Sequence, residues 1–132
     1  MIDNVYEFNK KFGLSLGNED IFLSDTEASQ YRIKFLQEEL DEFIDAMCNY
    51  DRVKMFDALL DLCYVAYGTA LFMGIDPMQW HAGMRVVHNC NMSKARVANT
   101  NESKRGSHFD CRKPEGWVGP ETRLEEILAW SK

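Results

Sequence analysis

Fourteen consecutive residues, Leu62 to Ile75, carry no charge, and Asp61 and Asp76 close the run at either end. Fourteen falls short of the ~18–20 apolar residues that a membrane span needs. The stretch LDLCYVAYGTALF is apolar almost all round, so as a helix it has no face to show to water. Such a helix must lie at the centre of a bundle or in an interface between subunits. With 132 residues, 45% of them hydrophobic and 27% charged, there is material for one domain with one real core, which excludes a disordered chain.

Helix signals dominate the rest. A short amphipathic helix is expected from about Asn4 to Phe12, followed by a loop over Gly13 to Asp25. Ser24-Asp25-Thr26-Glu27 fits a capping box, with Ser24 as N-cap and Glu27 three residues on. From there to about Cys48, Ile33, Leu36, Leu40, Phe43, Ile44 and Met47 recur at spacings of three and four and predict the buried stripe of a helix. Asn49 to Asp51 make a tight break, Asp51 caps the apolar helix, and Gly74 suits the position just past its end. Asp76-Pro77 restarts a helix, with Asp as cap and Pro in the first turn, expected to run to about Arg96. Ala98 to Gly119 has no period and reads as a long functional or mobile loop, and a last helix is expected from Glu121 to Trp130. No internal repeat and no convincing strand is found. The expected fold is an all-α bundle of four to five helices, a single domain over 1–132 with a basic loop or lid at 98–119.

The net charge of -6 and pI near 5.0 argue against a protein that holds a nucleic-acid polymer. The charge is uneven: residues 1–90 carry net -8 and residues 91–132 net +2. Lys94, Arg96, Lys104, Arg105, Arg112 and Lys113 cluster in the basic stretch, against only Glu102 and Asp110. The acidic, mixed start MIDNVYEFNK has no signal-peptide character, so a cytoplasmic protein with no membrane partner is expected. Cys48, Cys63, Cys90 and Cys111 form no CxxC pair, which removes zinc-finger and thioredoxin readings.

The acidic residues carry the chemistry. At about 100° per residue, Asp41, Asp45 and Glu38 fall opposite the apolar stripe of the long helix and read as solvated, whereas Glu39 and Glu42 flank it. On the next helix Asp57 and Asp61 are four apart, with Cβ atoms ~6 Å from one another on a mostly apolar face. Like charges held together there cost energy that something must offset. Pairing with Arg32 or Lys54 is one answer. A divalent cation is the better one, since Glu39, Glu42, Asp57 and Asp61 offer hard oxygen ligands from two adjacent helices. No histidine stands in a Glu-x-x-His spacing, so a di-iron centre is excluded. Oxygen ligands on rigid helices favour Mg²⁺, with Mn²⁺ as a substitute. Such a Mg²⁺ completes its shell with phosphate oxygens, and His88, Asn91 and Lys94, three apart, add an amide and an ammonium to the basic stretch. There is no P-loop and no Nudix box.

At these residues the chain resembles the MazG-like all-α nucleoside triphosphate pyrophosphatases, and among them the phosphoribosyl-ATP pyrophosphohydrolase-like group. The resemblance rests on RIKFLQEELDE (Arg32–Glu42), DALLDLCYVAYG (Asp57–Gly68), VHNCNMSK (Val87–Lys94) and KPEGWVGP (Lys113–Pro120), four segments in order. It implies metal binding by Glu39 and Glu42 of an E-x-x-E motif and by Asp61 of a second one. Where that second motif has its first carboxylate this chain has Ala58, with Asp57 one residue earlier. It also implies substrate contacts by Asn91 and Lys94, an oligomeric bundle (homodimer or homotetramer), and hydrolysis between the α- and β-phosphates of a nucleotide. The resulting expectation is a Mg²⁺-dependent nucleoside triphosphate pyrophosphohydrolase. Glu39, Glu42, Asp57 and Asp61 hold metal. Glu38, Glu39, Glu42 and Asp61 are the catalytic carboxylates, with the general base left open among them. Asn91, Lys94, Lys104, Arg105, Lys113 and Trp117 bind substrate. The alternatives are a helical-bundle interaction protein with a solvated acidic face, and a nucleotide-binding sensor without turnover.

Overall fold

The computed structural model of the chain describes residues 1–14 and 26–130. It divides into two compact units, Met1–Trp80 and His81–Lys132. The first is built from α1 (Ile2–Lys11), α2 (Thr26–Cys48) and α3 (Arg52–Phe72), with the first turn of α4 (Pro77–Met92). The rest of α4 belongs to the second unit. There it is followed by strands β1 (Ala95–Arg96) and β2 (Cys111–Arg112), a 3-10 turn between them (Thr100–Glu102), and α5 (Glu121–Leu128). The all-α expectation holds.

Several boundaries follow from local chemistry. The Asp51 carboxylate accepts from the Val53 and Lys54 amides and caps α3. Gly74, at φ 76°, takes the left-handed position past the end of that helix. Asp76 and Gln79 cap α4 reciprocally: the Asp76 carboxylate accepts from the Gln79 amide (2.8 Å) and the Gln79 side chain accepts from the Asp76 amide (3.1 Å). The expected N-cap Ser24 lies outside the described residues.

α2 and α3 form an antiparallel hairpin across Asn49–Asp51, with Tyr50 at φ 55°. The face that α2 buries is not the one its apolar periodicity predicts. Arg32, Glu39 and Ala46 are buried, with Leu36 and Phe43 partly so, whereas Ile33 is 64% and Ile44 45% exposed. The buried seam is therefore turned toward Glu39, because two polar residues take core positions. Arg32 explains one of them. Its Nη2 donates to the Val65 carbonyl (2.7 Å) and its Nε to the Thr69 hydroxyl (3.1 Å). The rings of Tyr31, Phe35 and Phe72 surround the guanidinium at 5.0–5.5 Å. Burial lowers its pKa, and the neighbouring Tyr31 raises it. Gly68 makes room, since a Cβ there would sit 2.8 Å from Nη2.

α1 lays Ile2 and Val5 on Leu71 of α3, with Tyr6, Tyr67 and Trp80 around them. The apolar helix α3 is long and apolar enough to cross a membrane by length and composition alone. It also carries Asp57 and Asp61 and packs on α1 and α2. Its outer side is bare: Val53, Phe56, Leu59 and Leu60 are exposed.

In the second unit, α4 ends at Met92, short of the expected Arg96. The Cys90 carbonyl accepts from the Ser93 hydroxyl (2.7 Å) and from the Trp117 indole (3.0 Å), so side chains finish the helix. The chain then pairs Ala95 with Arg112 and Arg96 with Cys111 in a two-stranded ribbon. This corrects the expectation of no strand: two-residue strands are too short to leave a period. α5 packs on α4 at Gly83, where a Cβ would stand 3.3 Å from Leu124 Cδ2.

Candidate active site

Glu39 sits in the middle of the α2–α3 seam at 7% exposure. It has no hydrogen-bond or ion-pair partner among the described residues. Burial pushes its carboxyl above the usual range, and the charges of Glu42, Asp61, Glu38 and Asp57, in falling order, push it the same way. The hairpin thus brings the expected carboxylates within electrostatic reach of one another, from both helices. The partners considered for them divide. Arg32 is spent on the α3 backbone and Thr69, while Lys54 lines the same groove as Asp57 without an ion pair to it.

A groove of about 750 Å³ opens along this side of the hairpin. Glu38, Glu42 and Asp57 line it, together with Asp41, Asp45, Lys34 and Lys54. Asp41 and Asp45 are exposed, as expected, but they do not stand apart from the site. They share its groove, because the seam of α2 is rotated, and Gln37 holds Asp41 through a 2.7 Å hydrogen bond. Lys54, considered as a partner from the sequence, lines the groove, whereas Lys34 was missed as a neighbour of the carboxylates.

The donor set suits a hard divalent cation: carboxylate oxygens on two packed helices, one of them buried without a counter-charge. Among the described residues, no three acidic, histidine or cysteine side chains are drawn together into a ready coordination shell. Side-chain rotation would have to gather them around an ion.

The expected substrate residues fall in the second unit. Lys94, Lys104, Arg105, Arg112 and Lys113 wall a cavity of about 340 Å³ with Glu102 and Asp110. Arg112, not among the expected contacts, joins through its place in β2. Trp117 lies beside this wall, with Lys113 Nζ 4.5 Å and Lys94 Nζ 5.7 Å from its ring centre. Asn91 gives its carbonyl to the Lys94 amide and does not line the cavity. The 98–119 segment, expected as a loop or lid, has its own scaffold. The Ser103 hydroxyl donates to Asp110 (2.8 Å) and accepts from the Arg105 and Ser107 amides. Asp110 also accepts from the Cys111 amide and pairs with Arg105. These bonds, led by that from Ser103, hold the Asp110 carboxyl below the usual carboxylate range.

No curated protein matches the chain. A family model described as phosphoribosyl-ATP pyrophosphohydrolase matches residues 5–89, which takes in most of α1, α2 with its carboxylates, α3 and most of α4. The match spans well over half of the sequence, and this chain belongs to the phosphoribosyl-ATP pyrophosphohydrolase family, hydrolases that act on phosphoric anhydride bonds.

Proposed function

We propose that this family member is a Mg²⁺-dependent nucleoside triphosphate pyrophosphohydrolase. It cleaves between the α- and β-phosphates and releases a nucleoside or deoxynucleoside monophosphate and pyrophosphate. The observation that carries this reading is Glu39, a residue held in the helix seam with no counter-charge among the described residues and four other carboxylates within electrostatic reach. Natural folds keep such a group where a cation compensates it.

Glu39, Glu42, Asp57 and Asp61 would hold Mg²⁺ or Mn²⁺, which supplies Lewis acidity toward a phosphoryl oxygen and lowers the pKa of water. Buried Glu39 fixes one ligand position, and exposed Asp57 and Asp61 on α3 can swing to complete the set. Glu38, exposed on the same groove, is free to take a proton from water. Lys94, Lys104, Arg105 and Lys113, with Asn91 and Trp117, offset the charge that develops on the leaving phosphates. The bare apolar sides of α2 and α3, including Ile33, Ile44, Phe56 and Leu59, support assembly as a homodimer or homotetramer. A soluble cytoplasmic enzyme fits this reading.

The test is pyrophosphate release from a panel of dNTPs, NTPs and phosphoribosyl-ATP with Mg²⁺. Asp61→Asn should abolish it, whereas Glu7→Gln, on the exposed side of α1, should not. No release from any member of the panel would overturn the reading.

A further inference from the structure

The cavity walled by the basic segment lies wholly beyond residue 89, outside the part of the chain that the family model matches. Its charges do not cancel. Arg105 pairs with Asp110 at 2.6 Å and Arg112 with Glu102 at 3.2 Å, which uses both carboxylates. Lys94, Lys104 and Lys113 then have no carboxylate partner among the described residues. Three ammonium groups around one cavity repel one another, and water and ring faces offset that only in part.

Their positions are nevertheless built in. The Trp117 indole N–H is fixed on the Cys90 carbonyl at 3.0 Å, and its ring carries Lys113 and Lys94. The β1–β2 ribbon and the Ser103–Asp110–Arg105 bonds hold the opposite wall. The frame rests on hydrogen bonds made within the segment and to Cys90. A compact net charge of three on a fixed frame is complementary to a short linear polyphosphate, which carries a similar charge of opposite sign.

We propose that residues 94–117 form a preassembled receptor for a pyrophosphate or triphosphate group. It binds that group directly through Lys94, Lys104 and Lys113 without a divalent cation, and Trp117 acts as the positioning residue for two of the lysines. The proposal rests on the pyrophosphohydrolase reading only for the source of the anion, the tail of a nucleotide or the pyrophosphate released.

The test is calorimetric titration of the full chain in EDTA with inorganic triphosphate, pyrophosphate, orthophosphate and one nucleoside triphosphate. Triphosphate and pyrophosphate should bind, orthophosphate at least tenfold more weakly, and affinity should fall steeply with salt. Lys94→Gln and Lys113→Gln should each weaken triphosphate roughly tenfold, while Lys10→Gln on α1 should change nothing. Trp117→Leu should weaken it similarly, and Trp117→Phe, which keeps a ring under the ammoniums, should restore most of the loss. Absence of triphosphate binding in EDTA overturns the proposal, as does binding of the nucleotide alone or binding that both lysine variants leave intact. Equal loss in the Leu and Phe variants overturns the positioning role of Trp117. Turnover with Mg²⁺ is measured separately: metal-free binding without turnover sinks the hydrolase reading and leaves the receptor standing, and turnover without metal-free binding does the reverse.

Discussion

Gly68→Ala sets two effects of opposite sign against each other. In a helix interior, alanine is favoured over glycine by about 1 kcal/mol. Here the new Cβ would lie 2.8 Å from Arg32 Nη2, inside van der Waals contact. The far end of a long side chain ordinarily moves aside at little cost. This one is pinned by its bond to the Val65 carbonyl, by Thr69, and by three rings at 5.0–5.5 Å. Displacing a charged donor from a buried carbonyl costs roughly 1.5–3 kcal/mol. The net expectation is a destabilisation of about 0.5–2 kcal/mol. For a chain of 132 residues that is a fall of roughly 2–7 °C in Tm. The assay is thermal and urea unfolding of the wild type, Gly68→Ala, Arg32→Met and the double variant. With Arg32 gone, the alanine should stabilise by up to ~1 kcal/mol, giving a coupling of roughly 1.5–3 kcal/mol between the two positions. A rise in Tm for Gly68→Ala in the wild-type background would refute the reasoning, as would equal effects in both backgrounds.

Glu39→Gln keeps the shape and removes a charge crowded by four like charges, so in EDTA it should raise Tm. The same variant should lose any Tm rise that Mn²⁺ gives the wild type, and a less stable variant in EDTA would contradict the crowding argument. Tyr50 holds φ 55° with its side chain 89% exposed. Tyr50→Gly should therefore gain ~0.5–1 kcal/mol in urea unfolding, and a loss would show that the ring has a partner. Asp110 has a depressed pKa in the folded state, so its contribution is full above the ordinary Asp value and is lost as pH falls through the depressed one. Amide exchange at Arg105, Ser107 and Cys111 should accelerate at pH below about 4, and Asp110→Asn should flatten that dependence. An unchanged profile in the variant would assign the effect to another group.

The helix ends could be read from the sequence wherever a short-range signal sets them. Asp51, Gly74 and Asp76-Pro77 act through bonds within three or four residues, and each stands where expected. The end of α4 uses Ser93, three residues on, but also Trp117, 27 residues away from Cys90, and no local pattern announces that second contact. The buried side of α2 was misjudged for a different reason. Periodicity assigns the core to apolar residues, whereas Arg32 and Glu39 occupy it and leave Ile33 and Ile44 outside. The acidic site was legible as a set of residue types, and its crowding around Glu39 needed the antiparallel register to become visible. The basic segment was legible as composition only. Its shape comes from Ser103 and Asp110, two small residues whose importance lies in how many bonds each makes.

Three residues, Asn49–Asp51, join the two helices that carry the acidic groups, and this sets where the chain can change in length. One residue inserted between Asp51 and Asp57 would turn the remainder of α3 by about 100° and advance it by 1.5 Å. Asp57 and Asp61 would leave the side on which Glu39 waits, and a turn this short has little slack to restore them. The stretch between β1 and β2 is constrained in its own way, since Ser103 and Arg105 are bonded across it to Asp110. Epitopes, labels or extra residues belong at the ends of the chain. The α2–α3 hairpin works as a ruler, and it measures only at its present length.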